Sequence, residues 1–180
     1  MERSLTHIAL FAALIAILGL VPPITLAFGV PITAQSLGVM LAGTVLGARR
    51  GFLAVLLFVV LVAAGLPLLA GGRGGLGVFV SPTAGFVIGF PFAALVAGFV
   101  VERTTLPLAL AAGAGAVIGG IGVLYAFGLT GLSLVLGKTL GEAAFLVGAF
   151  LPGDIVKAVL CAFVTVSLAR MRPGALLSRA

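Results

Sequence analysis

Residues 82–101 read PTAGFVIGFPFAALVAGFVV, twenty in a row without a charged side chain. At a rise of about 1.5 Å per residue, a helix of that length matches the roughly 30 Å hydrocarbon core of a bilayer. Pro91 falls mid-run, where it removes one backbone hydrogen bond and predicts a kink rather than an end. Glu102-Arg103 closes the run.

The pattern repeats in both directions. Further spans are predicted at residues 5–21, ended by Pro22-Pro23, at 33–47, at 52–66, stopped by Pro67, at 106–125, and at 152–168. Pro152 suits the first turn of the last one. Residues 126–151 are apolar but broken by Gly128, Gly131, Gly137 and Gly141. They read as a loop, a re-entrant segment or an extra helical piece. Glu2-Arg3 before an apolar run also suits a cleaved signal peptide. The repeated spans that follow favour an uncleaved first membrane helix. The expectation is an all-α polytopic membrane protein: one domain over residues 1–180, a compact bundle of six transmembrane helices.

Composition sets the same class. The chain is 62% hydrophobic and 8% charged, with a mean hydropathy of +1.41, against roughly 25% charged in a soluble domain. The net charge of +6 does not point to nucleic acid, because the basic residues gather at helix ends instead of forming a stripe with interleaved aromatics. Cys161 is the single cysteine, so no intrachain disulfide forms and a buried, inert thiol is expected.

Positive charges set the predicted orientation. With the N-terminus in the cytoplasm and six spans, Arg3, Arg49, Arg50, Arg103, Arg170, Arg172 and Arg179 lie inside. Arg73, Lys138 and Lys157 remain on the outer side. The N-in/C-in topology places residues 22–32, 67–81 and 126–151 outside, with the Asp154 end of the last helix.

Two nucleotide motifs fail on context. Gly72–Gly77 matches G-x-G-x-x-G, but no strand, helix and downstream acid of a soluble α/β unit surround it. A tightly turned external loop carrying Arg73 is the reading instead. Gly137-Lys138-Thr139 resembles the end of a P-loop, yet the required glycine five residues earlier is Leu132. No metal or cofactor is expected, since His7 is the only histidine and acids are few. His7 reads as interfacial, and Ser36, Ser81 and Ser133 have no histidine on their side to activate them. The chain is not expected to be an enzyme.

Asp154 and Lys157 are the exception to an apolar chain. Three residues apart on a helix, they share one face. Each costs roughly 2.5–3.5 kcal/mol at a bilayer centre on insertion scales. A bound polar ligand would explain their presence; a self-satisfying ion pair is the competing explanation. The first span holds Ala9, Ala12, Ala13 and Ala16. Small residues four apart let helices approach closely in lipid, either within this bundle or against another membrane protein.

These segments resemble a family. Val30–Val39, Leu46–Gly51, Ala64–Pro67, the Gly71–Gly77 loop and Ser81–Phe86 look like successive segments of the BioY proteins, and Phe150–Lys157 is similar to their Pro-Gly-Asp-x-x-Lys signature. The likeness spans nearly the whole chain in order. Ser81, Ala84 and Phe86 depart from the family's common Gly, Gly and Tyr. BioY proteins are the biotin-binding S components of energy-coupling factor (ECF) transporters.

The resemblance implies capture of biotin from outside and its uptake across the prokaryotic cell membrane. It also implies docking through the alanine-rich first helix, Ala9, Ala12, Ala13 and Ala16, onto a membrane coupling protein that carries two ATPase subunits. Some members are thought to work without that module, as homo-oligomers. The architecture alone would also suit an S component for thiamine or riboflavin. For biotin, Asp154 would accept from a ureido N–H, and Lys157 would meet the carboxylate or neutralise Asp154. Arg73 competes for the carboxylate, Gln35 and Thr83 complete the ureido hydrogen bonds, and Phe79 and Phe86 wall the apolar part.

Overall fold

The computed structural model describes residues 2–24, 26 and 29–179, and is all-helical apart from two isolated bridge pairs among those residues. Helix α1 is Glu2–Leu18, α2 Gln35–Leu46, α3 Ala48–Ala63 and α4 Ala84–Arg103. Helix α5, Leu108–Val117, continues through a wider π-type segment, Ile118–Val123, into α6, Leu124–Leu136. A short α7, Leu140–Gly148, precedes α8, Leu151–Met171.

The fifth predicted span therefore does not stop at Tyr125. Leu108–Leu136 is one apolar helical stretch of 29 residues. Two of the glycines that suggested a break, Gly128 and Gly131, serve packing against Phe86 and Gly85 of α4 instead. A Cβ on Gly85 of α4 would strike the backbone of Phe127 and Gly131, and one on Gly119 would strike Ala93 and Ala97. Bare glycines let two backbones approach where lipid supplies no hydrophobic drive. Residues 126–151 thus divide into the end of that long helix, a left-handed turn at Gly137 (φ 62°) and α7.

Three stretches, Ala84–Arg103, Leu108–Leu136 and Leu151–Met171, are long and apolar enough to cross a membrane. Helices α1, α2 and α3 are shorter, at 17, 12 and 16 residues. Helix α4 passes unbroken through Pro91 and packs on α2, α3, α5 and α6. Helix α2 is the buried axis, with all but one of its residues inside. Helix α8 buries a single stripe, Asp154, Ala158, Cys161 and Thr165, and turns Val159 and Phe163 outward. Spacings of four, three and four keep that stripe on one face. It carries the acid into the bundle while lipid-compatible side chains cover the rest.

Candidate functional site

The first turns of α2 and α8 and the start of α4 meet at one end of the bundle. Ser36 lies in the first turn of α2, Thr83 immediately precedes α4, and Asp154 lies in the first turn of α8. Helix N-termini present unsatisfied N–H groups and partial positive charge, which favours an anion between them. A partly open cleft occupies this place, mostly apolar in its lining with a few convergent polar groups, as small-molecule sites are.

Asp154 is buried and its carboxylate is held from three helices. Lys157 Nζ donates to Oδ1 at 2.7 Å, and the Ser36 hydroxyl donates to the same oxygen at 3.3 Å. The Tyr125 hydroxyl donates to Oδ2 at 2.8 Å. Lys157 also donates to Ser36 Oγ at 3.0 Å. The π-type segment just before Tyr125 shapes this contact, because one extra residue rotates the rest of a helix by about 100°. A carboxylate has roughly four acceptor positions, so one on Oδ2 is left for a ligand.

Arg73 reaches the cleft from the glycine-rich loop. Leu69 N–H donates to Arg73 O at 3.0 Å, and Leu69 O accepts from Gly72 and Arg73. Gly71 and Gly72 take positive φ, 78° and 71°, to close this turn. The Arg73 Nε–H donates to Ala70 O at 3.2 Å and Nη1 donates to Thr83 Oγ1 at 3.3 Å. Burial pulls the Arg73 pKa below the ordinary arginine value, though a guanidinium stays charged in proteins. Among the described residues, the ion pair is Asp154–Lys157. Arg73 is thus the cleft's uncompensated charge.

The apolar wall comprises Phe86, Phe90, Leu124 and Phe150 with Val30 and Ile32. Phe86 and Phe150 meet edge to face, centroids 5.8 Å apart. Val30, Pro31 and Ile32 belong to the α1–α2 connection, whose ends are pinned by paired hydrogen bonds between Ile24 and Ile32.

Six of the seven residues singled out for a ligand line this cleft: Asp154, Lys157, Arg73, Gln35, Thr83 and Phe86. Phe79 does not. Its short 3₁₀ turn, Leu76–Val80, sends it to a separate apolar groove against α4 and α6. Gln35 lines the cleft, but both its amide donors are spent on backbone, to Ile15 O at 3.1 Å and Leu68 O at 3.0 Å. Its carbonyl accepts from Ala70 N–H at 3.0 Å. It clamps α1 to the Arg73 loop instead of offering a donor to a ligand. Ser36, Tyr125 and Phe150 were not singled out, because a lone serine, tyrosine or phenylalanine in an apolar span gives no periodic or charge signal. Of the alanine seam, Ala9 and Ala13 face outward, Ala12 is buried and Ala16 half-buried.

Known proteins are similar to nearly the whole chain. The model of the BioY family matches residues 2–174. A biotin transporter BioY of Rhodobacter capsulatus is 57% identical over 189 residues, covering 99% of this chain and 100% of that one. The biotin transporter BioY of Thermotoga maritima is 34% identical over 174 residues, covering 94% and 97%. A solved S component for biotin from an ECF-type ABC transporter superposes with a TM-score of 0.88 at 32% identity, covering 94% of this chain and 92% of that one. The chain belongs to the BioY family.

Proposed function

We propose that the cleft holds biotin, and that the chain takes up biotin across a prokaryotic cell membrane as the S component of an ECF transporter. Family membership and the near-complete overlap with a biotin S component support this. The observation that carries it is the charge pattern: Asp154 is compensated by Lys157, and Arg73 by nothing. One uncompensated guanidinium beside three helix N-termini suits a ligand with one carboxylate.

Each end of biotin then has a partner. Arg73 takes the carboxylate through its remaining N–H donors. The free position on Asp154 Oδ2 accepts a ureido N–H, with Lys157, Ser36 and Tyr125 fixing that carboxylate beforehand. Phe86, Phe90 and Phe150 cover the thioether ring and chain. Gln35 and Thr83 act by positioning the Arg73 loop. No nucleophile, metal or redox group is needed, because binding and release leave biotin unchanged.

The whole chain acts as one membrane domain, crossing six times with both termini in the cytoplasm. Contacts support this arrangement. Arg50 with Ser4, Glu102 with Ala48, and Arg179 with Leu106 all gather at the end opposite the cleft. The cleft then opens outward. The outward-facing pair Ala9 and Ala13 is the seam for a membrane coupling protein with two ATPases, surrounded by lipid. Mass spectrometry of protein purified from cells in mild detergent tests the substrate: biotin is expected to co-purify. Recovery of another vitamin in its place would overturn the assignment.

A further inference from the structure

A second built recess lies at the other end of the bundle, between α1 and α3. It contains Leu5 and Ile8 of α1, Arg49, Arg50 and Leu53 of α3, and Glu102 of α4. Its two parts differ in chemistry. Leu5 and Leu53, 64% and 39% exposed, form an apolar strip on the bundle's outer surface. The two arginines stand at the helix end, where that strip meets the polar boundary.

The charges there are unbalanced. Glu102 Oε1 is taken by the Ala48 N–H at 2.9 Å, where it caps the start of α3. Arg50 Nε–H donates to Ser4 Oγ at 3.1 Å, which orients its guanidinium across the groove. Arg49 is exposed, and neither arginine has a carboxylate within ion-pair distance among the described residues. Among the described residues that line the groove, two guanidiniums stand against one carboxylate. A phosphodiester carries one negative charge and matches guanidinium geometry. Leu5, Ile8 and Leu53 below it match the first methylenes of an acyl chain. Basic pockets between membrane helices recognise anionic headgroups in this way.

We propose that the α1–α3 groove is a binding site for one anionic phospholipid, with Arg49 and Arg50 on its phosphate and the leucine strip along its acyl chain. The site is independent of the biotin cleft.

Native mass spectrometry tests this on detergent-purified protein given equal amounts of phosphatidylglycerol and phosphatidylcholine. The wild type is expected to retain phosphatidylglycerol about tenfold over phosphatidylcholine. Arg49→Gln, an exposed change, should reduce that preference to about threefold, and Arg49→Gln/Arg50→Gln should abolish it. An unchanged thermal midpoint certifies folding, and the Arg49 variant alone suffices should the double one unfold. Equal retention of both lipids by the wild type would overturn the proposal, as would an unaltered preference in folded Arg49→Gln. Displacement of the lipid by equimolar glycerol phosphate would overturn it too, since that would mean the leucine strip adds nothing.

Discussion

The Tyr125 hydroxyl donates to Asp154 Oδ2 at 2.8 Å, tying the long membrane helix to the first turn of α8. The opposite oxygen is held by Lys157 and Ser36. The carboxylate is therefore aimed before any ligand arrives, which lowers the ordering cost of binding.

Tyr125→Phe removes that aim and little volume. A hydrogen bond to a charged group contributes about 1.5–3 kcal/mol, so biotin affinity should fall by about tenfold or more. Isothermal titration of the variant checks this, with an unchanged elution profile as control. Affinity equal to wild type would show that Tyr125 is not needed to orient Asp154.

Gln35→Leu should act on the scaffold. It strands Leu68 O and Ala70 N–H, while Ile15 O keeps only the Gly19 N–H, and buried unpaired groups cost about 1–3 kcal/mol each. The thermal midpoint in detergent is expected to drop along with biotin affinity. A variant as stable as wild type would contradict the clamp.

Gly72→Val separates loop geometry from packing. A Cβ there meets nothing within 4 Å, but φ is +71°. An L residue in that region costs about 1–2 kcal/mol. The turn should relax and withdraw Arg73, weakening biotin binding about tenfold with the bundle intact. Titration with biotin methyl ester checks the cause: the ester lacks the anion, so its affinity should change far less.

Glu142 gives a pH prediction confined to α7. Its carboxylate accepts from the Thr139 N–H at 2.8 Å, and Thr139 Oγ1 accepts from the Glu142 N–H at 3.3 Å. The Thr139 backbone bond first, then its hydroxyl and Lys138, hold the carboxyl below the ordinary glutamate value. A depressed folded pKa means the cap is fully effective above the unfolded value of about 4.3 and fades as pH falls through the folded one. Amide resonances of α7 should therefore shift toward frayed values on acidification, and Glu142→Gln should remove that dependence.

Much of the architecture was legible in apolar run length, because membrane thickness imposes it. The run at 82–101 became Ala84–Arg103, and 152–168 became Leu151–Met171. What misled was glycine: Gly128 and Gly131 look like breakers, yet they sit at a helix crossing inside Leu108–Leu136. The Asp154–Lys157 pair and Arg73 stood out as charges in apolar surroundings. Ser36 and Tyr125 did not, because their value comes from a partner 118 and 29 residues away. Phe79 was misplaced because a 3₁₀ turn changes which side chains share a face. Gln35 lies beside the ligand space, but only the fold shows that backbone groups already occupy its amide.

The measurement that bears most directly on the account is a biotin titration of wild type against Asp154→Asn and Lys157→Gln. The wild type should bind one biotin per chain saturably. Each variant should lose at least about tenfold in affinity, the effect of removing one charge-assisted contact. If both folded variants bind biotin within about twofold of wild type, a difference of only about 0.4 kcal/mol, the pair merely satisfies itself and the proposed site is wrong.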